Sequence, residues 1–158
     1  MAILERITRN IDNCIWNPGV EAFPVKNKYT AGVAGQKFFE ELKSNGKICG
    51  TTCEKCQTTY VPGRIYCEQC FSRLEKWVDV GTEGILFSYT KVYKNKDGSG
   101  KENPTLMAAV KIADGLIMHR LGETNLDKLA IGIKVKAVLK EKTDRTGSIN
   151  DISHFAIV

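Results

Sequence analysis

Four cysteines stand in two Cys-x-x-Cys pairs, Cys53/Cys56 and Cys67/Cys70, with ten residues between the pairs. That spacing lets two tight turns aim four sulfurs at one centre. A tetrahedral set of soft thiolates selects Zn2+ or a single iron ion, and zinc is the expected occupant. Pro62 and Gly63 let the intervening segment double back. Four protein sulfurs leave the ion no open position, whereas a catalytic zinc keeps one for water or substrate. The expected zinc is therefore structural, a cross-link for a segment too short to fold on apolar burial alone. Cys14 and Cys49 fall outside the pattern and are expected to be small buried apolar groups.

The rest of the chain offers little chemistry. His119 in "LIMHRL" and His154 in "DISHFAIV" lie in strand-like segments with no nucleophile motif beside them. The glycines of "DGSGKENP" lack the strand before and helix after that a phosphate loop requires. No self-contained active site is expected. The formal charge of +5 is spread almost evenly along the 158 residues, and four thiolates with one Zn2+ lower it to about +3. A nucleic-acid footprint is a basic stripe, so the charge argues against one. The rival reading, a single-stranded nucleic-acid-binding module, rests on Phe87, Tyr89 and Tyr93 alternating with Lys91 and Lys94. Against it, Phe87 and Tyr89 read simply as core residues.

The elements around the cysteines follow from periodicity. Ile3, Leu4, Ile7, Ile11 and Ile15 recur at helical spacing, and residues 16–30 read as an extended connection. A second helix is expected over 35–45, with Phe38, Phe39 and Leu42 on one side and Asn45-Gly46 as its stop. After the cysteine segment come strands: "WVDV", "GILFSYTKVY", and "LMAAVKIA" joined to "LIMHRL" through Asp114-Gly115. "KNKDGSGKENP" is expected to be a loop and "TNLDKLAIG" a helical turn. "IKVKAVLK" alternates apolar residues with lysines, and "DISHFAIV" ends the chain as a strand. The expected fold is mainly β with N-terminal helices, divided into a helical docking segment (1–46), a zinc ribbon (47–76) and a small Greek-key barrel of OB type (77–158). No run approaches the ~20 apolar residues of a membrane span. Glu5, Arg6, Arg9 and Asp12 break the start too often for a signal peptide, so the chain is expected in the cytoplasm.

The order of these features resembles a known family. "FFEELKSNGKI", the two cysteine pairs with Tyr60, Pro62 and Arg64 between them, Trp77, the Gly84 strand and "IGIKV" are similar to the acyl-CoA-associated family once called domain of unknown function thirty-five. The likeness spans about residues 35–158 and departs from the usual pattern at Gly63, where a second proline is common. It implies a rubredoxin-like zinc ribbon followed by an OB-fold, with Cys53, Cys56, Cys67 and Cys70 as the zinc ligands. It also implies a non-catalytic subunit that docks on a thiolase-type catalytic chain as a hetero-oligomer. The coenzyme A thioester would sit at the partner's site. Arg64 and Arg73 would help hold the coenzyme A phosphates. The narrowest acyl group suggested is benzoylsuccinyl-CoA, in anaerobic degradation of aromatic compounds.

Overall fold

The structure is a computed structural model that describes residues 30–95, 98–123 and 125–158. The helix expected over 3–15, most of the connection after it and Cys14 lie outside the described residues. Helix α1 (Gly32–Asn45) begins three residues earlier than the apolar spacing indicates. Its buried stripe is Phe38 and Leu42, and the Phe39 ring packs edge-on against Phe38. Gly46 ends it at φ 65°, a left-handed position natural to glycine, and its amide reaches Leu42 O at 3.2 Å. Phe38 and Leu42 pack with Ile48, Val61 and the barrel interior in one core. The helix is thus a layer of the fold rather than a free appendage.

Two antiparallel sheets follow. The ribbon sheet contains β1 (Cys49–Cys53), β2 (Thr58–Tyr60) and β3 (Lys76–Asp79) in the order β2-β1-β3. The barrel contains β4 (Glu83–Lys94), β5 (Gly100–Ile112), β6 (Gly115–Arg120), β7 (Lys134–Leu139) and β8 (Ile152–Ile157). Their order is β6-β5-β4-β7-β8, and a parallel bridge between Leu121 and Phe155 closes the ends. A 3-10 turn (Leu126–Lys128) makes the crossing from β6 to β7. This is a zinc ribbon followed by an OB-fold. On β7, Val135 and Ala137 face inward and Lys134 and Lys136 outward, as the alternation requires.

Three local expectations change. Residues 100–104, expected in a loop, belong to β5, because β4 is long enough to pair with them; Lys94 stands opposite Gly100. The polar side chains there carry no alternation because this end of the hairpin is largely open to water. Pro104 is tolerated since its stretch of β5 has no strand partner but β4. The β5–β6 turn is Ala113-Asp114, with Ala113 at φ 50°, and Gly115 opens β6. A Cβ on Gly115 would stand 2.2 Å from Val61 O, so ribbon and barrel meet backbone to backbone there. Finally, Phe87 and Tyr89 are not core: they are 54% and 36% exposed. A bulge between Leu86 and Ser88 breaks the inward alternation of β4 at that point.

Ribbon and barrel are stitched at the same place. The Asp114 amide donates to Thr59 O at 3.3 Å, and Thr59 N–H donates to Asp114 Oδ2 at 2.9 Å. On the other side Val80 N–H donates to Ile48 O at 3.0 Å.

Candidate metal centre

β1 ends on Cys53 and the Cys56 turn leads into β2, so the first pair sits on a hairpin tip. The second pair sits on a smaller one: Cys67 N–H donates to Ser72 O at 2.9 Å, Phe71 N–H to Cys67 O at 3.0 Å, and Tyr66 bridges Arg73. Each turn places the residue after its second cysteine in the left-handed region, Gln57 at φ 55° and Phe71 at φ 57°. Neither is glycine, so composition gave no signal for these two turns. The linking segment folds back at Gly63, where the Trp77 ring covers the backbone. A Cβ on Gly63 would lie 2.5 Å from that ring, which accounts for glycine where a second proline is usual.

The four Sγ atoms lie within 4.8 Å of one another. Cys53 Sγ and Cys70 Sγ are 3.6 Å apart, and Cys67 Sγ and Cys56 Sγ 3.9 Å. A tetrahedral Zn–S length of about 2.3 Å requires S···S near 3.8 Å. The donor set and its spacing therefore fit a tetrahedral divalent ion. Cys53 and Cys67 are buried, and Cys56 and Cys70 half-buried. Around them lies a satellite cluster whose further buried members, among the described residues, are Tyr60 and Leu74. So small a core explains why this unit needs a cross-link.

Electrostatics point the same way. Four thiolates this close repel one another. A hydrogen bond with Cys70, then burial, pushes the Cys56 thiol up to about 12. The Tyr60 hydroxyl, 3.2 Å from Cys67 Sγ, draws Cys67 down to about 6, and is itself raised to about 12, so it stays a donor. Ser72 Oγ, 3.3 Å from Cys70 Sγ, lowers Cys70. A divalent cation resolves the conflict by stabilising all four as thiolates. Tyr60 and Ser72 are the supporting groups that cysteine spacing did not reveal.

The other candidates are dispersed. Arg64 pairs with Glu68 and lies over the Tyr60 ring at 5.2 Å, while Arg73 pairs with Glu75 at 3.4 Å. Arg64 borders a groove of 640 Å3 between the ribbon and the β5–β6 turn; Arg73 borders a separate depression with Glu54 and Lys76. The two arginines do not share one site. Cys49 is buried beside α1, and burial raises its thiol, which makes it inert. His119 is 6% exposed in β6, and among the described residues its Nδ1 has no hydrogen-bond partner. His154 Nδ1 meets the hydroxyl of its neighbour Ser153 at 3.2 Å on the surface.

With ribbon, barrel and sulfur geometry in place, comparison with known proteins becomes specific. Two family models match in tandem: the ChsH2 rubredoxin-like zinc ribbon domain over residues 41–75 and the ChsH2 C-terminal OB-fold domain over residues 77–140. Together they span more than half of the chain. The chain belongs to the ChsH2 family. Among solved structures it is similar to a protein of unknown function from the DUF35 family of Sulfolobus solfataricus. That match has 26% identity, 80% of this chain and 84% of that one covered, and a TM-score of 0.59. It also shares its fold with a chain of the Ltp2-ChsH2(DUF35) aldolase, at 23% identity, with 69% and 85% covered and a TM-score of 0.52. The two matched stretches carry the ribbon sheet and β4 to β7, and β8 lies beyond them.

Proposed function

We propose that this chain is the non-catalytic zinc-binding subunit of a heteromeric acyl-CoA enzyme of thiolase type, acting on a partner chain that carries the active site. One observation carries the reading: the only group of three or more metal-binding side chains among the described residues is a cage of four cysteines. Such a cage leaves its ion no vacant position. Cys53, Cys56, Cys67 and Cys70 would hold Zn2+, which supplies a fold-stabilising cross-link and no reaction chemistry. A structural neighbour, the Ltp2-ChsH2(DUF35) aldolase, joins a ChsH2 chain to a second protein in an aldolase, which supports a heteromeric reading. The proposed reaction of the complex is coenzyme A-dependent C–C cleavage or condensation, with benzoylsuccinyl-CoA as the candidate substrate and the cytoplasm as its place. Arg64 and Arg73 are the ribbon cations proposed to meet coenzyme A phosphates. Each holds one exposed carboxylate, an interaction worth about 0–1 kcal/mol, so a phosphate can displace it.

The test is co-expression with a thiolase-type chain. A single complex in size-exclusion chromatography, with thioester turnover only when both chains are present, is the expected result. Separate elution at micromolar concentration, with full activity in the partner alone, overturns it. A second reading, single-stranded nucleic-acid binding, has the exposure of Phe87 and Tyr93 beside Lys91 and Lys94 in its favour. It requires oligonucleotide binding that weakens steeply with salt.

A further inference from the structure

The register of β7, β4, β5 and β6 assembles a surface that no single strand shows. Directly opposed residues on paired strands point to the same face. One outer row is therefore Lys134, Ile85, Lys111 and Leu116. The next joins the Phe87 bulge and Ser88 to Ala109 and Met118, and Met107 follows beside Arg120. Ile85, Phe87, Leu116 and Met118 are 47%, 54%, 46% and 74% exposed. Ala109, a small residue, stands between Ser88 of the β4 bulge and Met118, so the apolar side chains of β4 and β6 flank a low point on β5. Large contiguous apolar patches are uncommon on a monomer and mark interaction sites.

The charges show what this face fits. Lys134, Lys136 and Arg120 are exposed around it and Lys111 stands between Ile85 and Leu116, against Glu83, opposite Lys136, and Asp114 at the β5–β6 turn, whose carboxylate already accepts from Thr59 N–H. Among the described residues none of the four cations makes an ion pair within 4 Å. Exposed apolar side chains set among charged ones are the anatomy of a protein–protein interface. A second copy of this chain would bring cations against cations. A nucleic acid would meet Ile85, Leu116 and Met118 beside a single ring, Phe87, whereas stacking platforms use successive aromatic rings.

We propose that this face of the barrel is where the catalytic chain docks, through a matching apolar surface ringed by carboxylates. The inference rests on the functional reading above and adds the surface to it. It places the interface on the barrel, beside the groove that Leu116 shares with Arg64 and Asp114 of the ribbon–barrel joint.

The test uses the full chain, zinc-loaded, with the thiolase-type chain as probe. Met118→Asp is on the surface and should leave zinc content and circular dichroism unchanged while weakening binding about 30-fold or more, the range of an interface hot spot. Lys111→Glu with Lys134→Glu should slow association about tenfold at low salt and flatten its salt dependence. A photo-crosslinker at position 118 should join the catalytic chain. If the complex forms normally with Met118→Asp, or the crosslink goes to residues 1–29 or to a second copy, the docking face is wrong and the functional reading stands. If the wild-type chain forms no complex, or position 118 crosslinks to an oligonucleotide instead, both fall.

Discussion

Tyr60 and His119 show how single side chains set measurable behaviour. The Tyr60 hydroxyl holds the sulfur of Cys67, and groups that hold a metal ligand tune its affinity. Tyr60→Phe should therefore weaken zinc binding about 10–100-fold against a chromophoric chelator, with the ribbon folded at saturating zinc. Unchanged affinity would show that the bond contributes nothing. His119 makes the opposite kind of statement. Burial, the largest influence, lowers its pKa below the ordinary 6.5. The unfolded chain then binds the proton more readily, so stability is full above about 6.5 and is lost as pH falls toward the depressed folded value. Denaturant midpoints at pH 8 and pH 5 should differ, and His119→Phe, beside the Phe155 ring, should shrink the difference.

At the scale of elements, two joints stand out. Gly115 lies so close to Val61 that no side chain fits. Gly115→Ala must push the β5–β6 turn off β2, at a cost of about 1–3 kcal/mol in urea unfolding. A neutral result would mean that ribbon and barrel are not held in this contact. The β7–β8 connection depends on Asp151, fully buried, whose carboxylate accepts from Gly147 N at 2.7 Å, Thr146 N at 2.8 Å and Ser148 N at 3.2 Å. Asp151→Ala leaves those amides without an acceptor and should cost about 1–3 kcal/mol. The sequence showed the strands on both sides of each joint, because alternation and β-branched residues are local signals. It did not show the ribbon–barrel joint, because the partners of Gly115 and Asp114 are more than fifty residues away.

For the whole molecule, the division of the core predicts how it comes apart. Main-core residues run from α1 through Ile48 and Val61 into the barrel, while the cysteine cluster has two other buried members. A strong chelator should therefore expose the segment from about Cys53 to Leu74 to protease and leave most of the barrel's circular dichroism in place. Loss of all β signal together would show that the zinc supports the entire fold. Uniform protection with and without metal would show that it supports none of it.

The sequence by itself determined which four cysteines come together and the kind of fold. Cys-x-x-Cys spacing is a local geometric constraint, and strand alternation and the Gly46 stop are short-range chemistry. These are properties of neighbours along the chain, so reading in order suffices. Only the tertiary structure decided that Phe87 faces water, that Tyr60 reaches the sulfur of Cys67, and that Ile85, Phe87, Leu116 and Met118 form one face set among cations. Each of those depends on strand register or on a bulge, where a shift of one residue turns a side chain to the opposite side of the sheet. That information is held in pairings between distant segments rather than in any single stretch.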